Sequence, residues 1–208
     1  MKTGLISAVF AALLLSACAG HGPLPEELEA LDKAPVCCAG YAFMKYEPLA
    51  LGDVQDASLD AAEQKAFTFP TGKSFFRAYA IPRDAGPFYL RLTSIPDSRR
   101  VFFPLLLVLD GNYRPVRTVT SPVFDWRNGG FGPTSASIVG TAYFNPQVSG
   151  ERYVILLTPA NAQSQSYRAT TAGSVDISQT IPRLTPPGAQ IDLEPGPTGQ
   201  VEIKTGRL

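Results

Sequence analysis

The chain has 208 residues with 18 basic and 18 acidic side chains, so its formal net charge is zero at pH 7 and it lacks the basic field that holds nucleic acid. Its 18 glycines and 19 prolines indicate a turn-rich sequence, and a length of this order predicts one domain or one domain with a tail. His21 is the single histidine. This argues against histidine-based acid/base catalysis, a serine–histidine–aspartate triad and zinc sites with several histidine ligands.

The first residues have the pattern of a secretory signal. Lys2 supplies a positive charge, and the apolar run Leu5–Leu15 is too short to span about 30 Å of hydrocarbon as a helix. The run ends in Leu15-Ser16-Ala17-Cys18, which resembles the lipobox of bacterial lipoproteins, in which the cysteine thiol carries the diacylglycerol. We therefore predict a lipoprotein signal peptide over residues 1–17 and lipidation of Cys18. The alternative is a plain secretory signal that is cut nearby.

The residue after Cys18 indicates which membrane the lipid would enter. It is Ala19, not the aspartate associated with inner-membrane retention in such lipoproteins, so we expect an outer-membrane anchor that faces the periplasm. Each buried methylene contributes about 0.8 kcal/mol, so several acyl chains hold a protein firmly on a membrane. Residues 18–36 would form the lipidated tether, in which Pro25–Lys33 can form at most a short helix.

The next elements along the chain are a short helical turn and then strands. The turn is predicted from Asp60, with Glu63 as its capping-box partner. In Phe88–Thr93, apolar residues alternate with polar ones, which is typical of a strand with one buried face. The run Val101–Leu109 is continuously apolar, as in a central strand, although Pro104 limits ladder pairing near its start. Further strands are predicted at 74–80, 114–120, 137–144, 152–158, 166–169 and 200–204.

This pattern of about seven or eight short strands separated by turn signals predicts an all-β fold. We expect an antiparallel β-sandwich over residues 37–208. The run Asp110-Gly111-Asn112 would supply residues with positive φ for a tight hairpin. The proline- and glycine-rich stretch 182–199 is expected to be irregular and to wrap the sandwich before a final strand closes an edge.

Cys37 and Cys38 are neighbours in the sequence. Adjacent Cα atoms across a trans peptide lie about 3.8 Å apart, below the range of roughly 4.4–6.8 Å that is usual for a disulfide. In an oxidising periplasm the two thiols can stay buried, form a strained vicinal bridge or pair between chains. We favour a structural role, as buried thiols or a vicinal bridge, over a redox or metal role, because no histidine or third cysteine lies in the folded part.

Residues 124–132 form the most ligand-like segment and contain the only tryptophan. Trp126 is flanked by Asp125, Arg127 and Asn128 on a glycine-rich frame. Such a loop combines an aromatic face with fixed polar groups, as sugar sites do, and these four residues are the candidate ligand site. The alternative, which we favour on the sequence, is a packed hairpin tip in which Trp126 covers one end of the sandwich.

The sequence holds no strong catalytic motif. The carboxylate of Asp110 suits turn chemistry, that of Asp176 suits a solvent-facing strand position, and a Gly-x-Ser-x-Gly elbow is missing. The run Thr71-Gly72-Lys73-Ser74 carries only the last part of a phosphate-binding loop and lies between strand-like runs, so it predicts a β-turn. We therefore predict a protein that is not an enzyme, with no catalytic residues, no metal site and no cofactor.

Longer blocks of the chain resemble the maltose operon periplasmic protein family. The resemblance starts at Cys37-Cys38 and continues in Phe67–Pro82, Val101–Tyr113 and Pro197–Ile203, so that it covers most of residues 37–204. It implies a periplasmic or lipid-anchored protein that is linked to maltose and maltodextrin uptake. The family has no established catalytic residues, so no site residue is carried over from it.

Two functions follow from these observations. We expect a non-catalytic accessory to carbohydrate uptake, attached to the membrane through Cys18, that binds oligosaccharide weakly or assists the components of maltodextrin uptake, with no nucleic-acid partner. The alternative is a structural or docking lipoprotein that binds another cell-envelope protein through a sandwich face or an exposed edge strand.

Overall fold

The structure, a computed structural model, describes residues 25–61, 65–96, 100–119, 124–127, 137–160, 167–170, 174–176, 183–185 and 190–208. In these residues the helices are α1 (Pro25–Lys33) and α2 (Pro146–Ser149), with a short 3₁₀ helix at Tyr41–Phe43. The strands are β1 (Glu47–Pro48), β2 (Val54–Asp56), β3 (Ala66–Phe69), β4 (Gly72–Ala80), β5 (Phe88–Ile95), β6 (Arg100–Phe102), β7 (Leu105–Asp110), β8 (Pro115–Val119), β9 (Phe124–Arg127), β10 (Ser137–Phe144), β11 (Glu151–Leu157), β12 (Tyr167–Thr170), β13 (Ser174–Asp176), β14 (Arg183–Thr185), β15 (Gln190–Gly196) and β16 (Gln200–Arg207).

Two larger sheets share one hydrophobic core, which confirms the predicted all-β sandwich. The six-stranded sheet has the order β1-β4-β11-β7-β8, with β3 also paired to β4, and the five-stranded sheet has the order β2-β16-β5-β10-β9. Within them only β1 and β4 run parallel among the described pairs. Two smaller sheets contain β12-β15-β6 and β13-β14.

The alternating pattern of β5 is confirmed in three dimensions. Phe88, Leu90 and Leu92 are buried while Arg91 is exposed, because successive side chains of a strand point to opposite faces. β16 pairs with β5 along its whole length and places Ile203 opposite Leu92. The five-stranded sheet therefore has one face in the core and one polar face.

The six-stranded sheet differs, since its central strands are apolar on both faces. One face lines the sandwich core, and the other carries a second apolar cluster on the outside of the same sheet. This outer cluster is covered in part by residues 37–46. Strands buried on both faces read as continuous apolar runs, which explains the composition of β7. The inward residues are Phe75, Tyr79, Leu106, Val108, Val154 and Leu156, and the outward ones are Phe76, Ala78, Leu107, Leu109, Ile155 and Leu157.

The run Val101–Leu109 was expected to be one strand and is two. β6 ends at Phe102, and β7 begins at Leu105. The break coincides with Pro104, which has no N–H to donate to a ladder. β6 then pairs in parallel with β15, whereas β7 lies between β11 and β8 in the larger sheet.

The C-terminal part is also more regular than the sequence suggested. The stretch 182–199, predicted to be irregular, contains β14 and β15. The final strand β16 does not close an edge, because the short strand β2 pairs with its free side. The described residues thus contain more strands than the seven or eight expected.

The hairpin between β7 and β8 has a different geometry from the one predicted. The residue with positive φ is Tyr113, at 61°, and neither Gly111 nor Asn112 adopts that conformation. Asp110 still performs the predicted turn chemistry, since its Oδ1 accepts hydrogen bonds from the backbone N–H groups of Asn112 and Arg114, both at 2.8 Å. The ladder shifts register between Val108 and Leu109, as in hairpins with a three-residue loop.

Candidate ligand-binding cleft

A cleft of about 450 Å³ opens where α1, β6 and the turn before β16 meet. Its volume falls in the range of roughly 300–1,000 Å³ that small-molecule sites occupy. The wall combines polar and apolar groups that come from widely separated parts of the chain. They include Glu27, Ser58, Asp60, Arg100, Phe102 and Gln200.

Helix α1 forms one wall, although the sequence placed it in the tether. Pro25 occupies its first position, Glu26 and Glu27 lie in the first turn and Lys33 in the last, which suits the helix dipole. Leu31 is buried in the core. The helix therefore packs on the hydrophobic core through Leu31.

Lys73 fixes the C-terminal end of α1. Its Nζ donates a hydrogen bond to the backbone oxygen of Asp32 at 2.6 Å, and a cation at the last helical carbonyls is favourable. Lys73 lies in β4, just after the turn at Pro70 and Thr71. The block Thr71–Ser74 was predicted to be a plain β-turn, but only Thr71 lies in the turn and the other three residues belong to β4. Gly72 has φ of 112° there, and a Cβ on it would lie 2.5 Å from the Cβ of Ala160.

Glu27 reaches across the cleft to Arg100. The distance from Arg100 Nη1 to Glu27 Oε1 is 2.6 Å, with 29% of the arginine side chain and 22% of the glutamate side chain exposed. A charge-assisted hydrogen bond in this partly dry position is stronger than one between neutral groups. The pair presents an anionic acceptor beside a cationic donor, which matches adjacent hydroxyl groups on one ligand.

Glycines let the backbone approach this ion pair closely. A Cβ on Gly196 would lie 3.3 Å from Glu27 Oε2, and one on Gly199 would lie 2.7 Å from the Cβ of Phe102. Gly199 also exchanges two backbone hydrogen bonds with Leu59, at 3.0 and 3.1 Å. The approach of Gly196 to Glu27 and that of Gly199 to Phe102 thus depend on the absence of side chains at these two positions.

A hydrogen-bonded turn holds Ser58 at the rim. Hydrogen bonds from the Ser58 side chain and backbone lower the pKa of the Asp56 carboxyl, and the backbone N–H of Ser58 lies 2.8 Å from Asp56 Oδ1. Arg77 Nε donates to the backbone oxygen of Ser58 at 2.8 Å, and Ser58 Oγ accepts from the N–H of Val201 at 3.2 Å. The rim is therefore preorganised in the absence of ligand.

The cleft is lined by groups that can form hydrogen bonds and ion pairs with a polar ligand. Among the residues that the structure describes, no group of three or more histidine, cysteine, aspartate or glutamate side chains could hold a metal ion. The cleft instead offers carboxylate and guanidinium groups, a hydroxyl and an amide. These are the groups that fix the orientation of a polar ligand such as a sugar.

The sequence-predicted ligand residues lie elsewhere. Asp125, Trp126 and Arg127 belong to β9, an edge strand paired with β10 that places Trp126 opposite Ile138. The interpretation of these three residues as a loop was wrong, although the side chains of β9 and the whole of Asn128 fall outside the described residues. The predicted partner of Asp60, Glu63, and the lipidation residue Cys18 also lie outside the described ranges.

Cys37 and Cys38 form a vicinal disulfide with Cα atoms 3.8 Å apart. Both residues are half-buried and pack against the outer apolar cluster of the six-stranded sheet. The N–H of Cys37 donates to the oxygen of Ala66 at 3.0 Å, so the bridge is attached to the edge of β3. Its position is that of a packing element.

Sequence reasoning missed the cleft because its residues have no common motif. Glu27 and Gln200 lie near opposite ends of the chain, and Asp60 and Arg100 come from connecting segments and a short strand. The one local signal was the acidic pair Glu26-Glu27 in the expected tether. This pair indicates where the helix starts, but it does not indicate which part of the chain the helix packs against.

Comparison with known proteins identifies the family. A model of the family described as maltose operon periplasmic protein precursor matches residues 71–176, just over half of the chain. This range contains the block 101–113 and most of the block 67–82 on which the resemblance rested. Searches of curated proteins and of solved structures gave no match. In the described residues, no helix is both long and apolar enough to span a membrane. The chain belongs to the maltose operon periplasmic protein family.

Proposed function

We propose that this periplasmic protein is a non-catalytic lipoprotein, anchored in the outer membrane through Cys18, that assists maltodextrin uptake by binding the oligosaccharide in the cleft beside α1. The observation that carries this proposal is the Glu27–Arg100 pair at the wall of a cleft of about 450 Å³. Membership in a family named for the maltose operon supports maltodextrin as the class of ligand.

A neutral sugar suits this wall better than a charged ligand. The carboxylate and guanidinium already neutralise each other, so an ionic ligand would have to displace one partner. A sugar hydroxyl both donates and accepts hydrogen bonds and can therefore bridge the pair without breaking it. Ile95, which is 36% exposed, would make an apolar contact with the C–H surface of the ring.

The experiment is isothermal titration of the full chain with maltose through maltoheptaose, in a detergent that carries no sugar headgroup. Saturable binding that tightens with chain length is expected. Glu27→Gln should weaken it roughly tenfold or more, because a charge-assisted hydrogen bond contributes about 1.5–3 kcal/mol. Glu26→Gln is the matched control, since Glu26 lies in the same helical turn but is exposed. A flat titration of the wild type would refute the proposal.

The candidate residues on β9 are tested in the same assay. Trp126→Ala removes the only tryptophan, and the proposed cleft predicts that affinity stays unchanged. If Trp126→Ala abolishes binding while Glu27→Gln does not, the ligand site comprises Asp125, Trp126, Arg127 and Asn128 and not the cleft.

The lipid anchor has its own test. Cys18→Ser should move the protein from the membrane fraction to the soluble periplasmic fraction and abolish palmitate labelling. Ala19→Asp should shift the protein from the outer to the inner membrane. Unchanged membrane fractionation of Cys18→Ser would show that the chain is not held by acylation at this residue.

A docking function is the second candidate, and one observation favours it. Phe43 is 74% exposed and Val36 is 50% exposed, on either side of the vicinal disulfide. Large exposed apolar side chains of this kind often mark protein contacts. Crosslinking through position 43 in membranes should then give one stoichiometric adduct that Phe43→Ser removes, and repeated failure to obtain an adduct would exclude this surface.

A further inference from the structure

Three tyrosines form a tight cluster on the outer side of the six-stranded sheet. Tyr46 lies before β1, Tyr113 in the β7–β8 hairpin and Tyr153 on β11. Their ring centroids are 4.4 Å apart for Tyr46 and Tyr153, 4.6 Å for Tyr113 and Tyr153, and 5.8 Å for Tyr46 and Tyr113. All three side chains are half-buried, so part of each remains available to a ligand.

The backbone of Tyr113 indicates that this cluster has more than a packing role. Tyr113 has φ of 61° and is the one non-glycine residue with positive φ among those described. A bulky residue in this conformation costs about 1–2 kcal/mol, and glycine would remove that cost. Backbone strain of this kind is common at binding sites, where it holds a side chain in the orientation that a ligand needs.

One hydroxyl group of the cluster can still donate a hydrogen bond to a ligand. The hydroxyl of Tyr153 donates to that of Tyr113 at 3.1 Å, and the hydroxyl of Tyr46 donates to the backbone oxygen of Tyr41 at 2.9 Å. Because the Tyr113 oxygen acts as acceptor, its own hydrogen can be donated outward.

We infer that Tyr46, Tyr113 and Tyr153 form a second oligosaccharide-binding site, on which a pyranose ring stacks its C–H face while one of its hydroxyls accepts a hydrogen bond from Tyr113. An aromatic face beside fixed polar donors is the combination that sugar recognition uses. The cluster shares no residue with the cleft. This inference rests on the proposed function for the class of ligand but not for the location of the site.

The test combines titration with a local signal. Maltoheptaose is added to the full chain carrying ring-labelled tyrosine, and the resonances of Tyr46, Tyr113 and Tyr153 are followed by NMR. They should shift on sugar addition, and they should still shift in Glu27→Gln. Tyr113→Gly removes the ring and suits the positive φ, so it should fold and weaken binding at this site by roughly fivefold to tenfold. Tyr143→Ala, an exposed tyrosine on β10, is the control and should bind normally.

The outcomes of this test bear on both the second site and the cleft. Sugar binding without movement of the three tyrosine resonances overturns the second site and leaves the cleft intact. Tyrosine shifts together with an unaffected Glu27→Gln titration support the second site and refute the cleft. No binding of maltoheptaose by the wild type overturns both.

Discussion

Arg117 on β8 forms an ion pair with Glu151 at the start of β11, with 2.6 Å between Arg117 Nε and Glu151 Oε1. The guanidinium also lies 4.7 Å from the centroid of the Phe144 ring and donates to the backbone oxygen of Tyr143 at 2.7 Å. Since Tyr143 and Phe144 end β10, this one side chain connects the six-stranded sheet to the five-stranded sheet. Ser149 Oγ completes the site by donating to Glu151 Oε2 at 2.7 Å.

Replacing Arg117 should destabilise the sandwich. The Glu151 side chain is only 3% exposed, so Arg117→Ala would leave a buried carboxylate without its cation. We expect a loss of about 2–4 kcal/mol in the free energy of unfolding, measured by urea denaturation. Arg114→Ala, an exposed arginine of the same hairpin, should change it by less than about 0.5 kcal/mol. In a Glu151→Gln background the cost of Arg117→Ala should shrink, and an undiminished cost would show that the arginine acts through Phe144 and the backbone oxygen of Tyr143.

Gly199→Ala should damage both the fold and the cleft. The new Cβ would lie 2.7 Å from the Cβ of Phe102 and 3.3 Å from its backbone nitrogen, and Phe102 is fully buried and cannot move aside. We expect a loss of about 1–3 kcal/mol from overpacking, seen as a lower urea midpoint. Gly86→Ala is the control, because a Cβ there meets no atom within 4 Å. Equal stability of the two variants would contradict the close contact.

Acid should loosen the rim of the cleft through Asp56. Its pKa is lowered in the folded state by hydrogen bonds from the Ser58 side chain and backbone. Its contribution to stability is therefore present above its unfolded pKa of about 4 and is lost as the pH falls through the folded value. Denaturation below about pH 4 should show a steeper fall in stability for the wild type than for Asp56→Asn. Asp84→Asn, at an exposed turn, is the control for the substitution itself and should change the free energy of unfolding at neutral pH by less than about 0.5 kcal/mol.

Alkali should destabilise the tyrosine-rich side of the protein. The pKa of Tyr46 is raised by burial and by its tyrosine neighbours, and the pKa of Tyr153 by the hydrogen bond with Tyr113 and by burial. The folded state therefore favours the neutral rings, and this contribution is present below about pH 10 and lost as the pH rises further. The absorbance of tyrosinate should show tyrosines that ionise only above about pH 10, and the free energy of unfolding should fall as they ionise. Tyr46→Phe should reduce the fall, and an unchanged slope would contradict this assignment.

Local pattern in the sequence determined much of the fold. The period-two alternation of β5, the apolar runs of β7 and β11 and the turn chemistry of Asp110 depend on neighbours within a few residues. Hydrophobic burial acts on such patterns directly, so the all-β sandwich and most strand positions could be predicted. The family blocks were visible for the same reason, since they are continuous in the chain.

The locations of the cleft and of the tyrosine cluster are determined by tertiary contacts. The sequence does not show that α1 docks on β4 through Lys73, that Glu27 meets Arg100, or that Tyr46, Tyr113 and Tyr153 share one surface. Each of these contacts joins residues that are far apart in sequence, and strand order brings them together. The hairpin register likewise determined where the positive φ of the loop falls, which is at Tyr113 and not at Gly111 or Asn112, although those residue types adopt that conformation more readily.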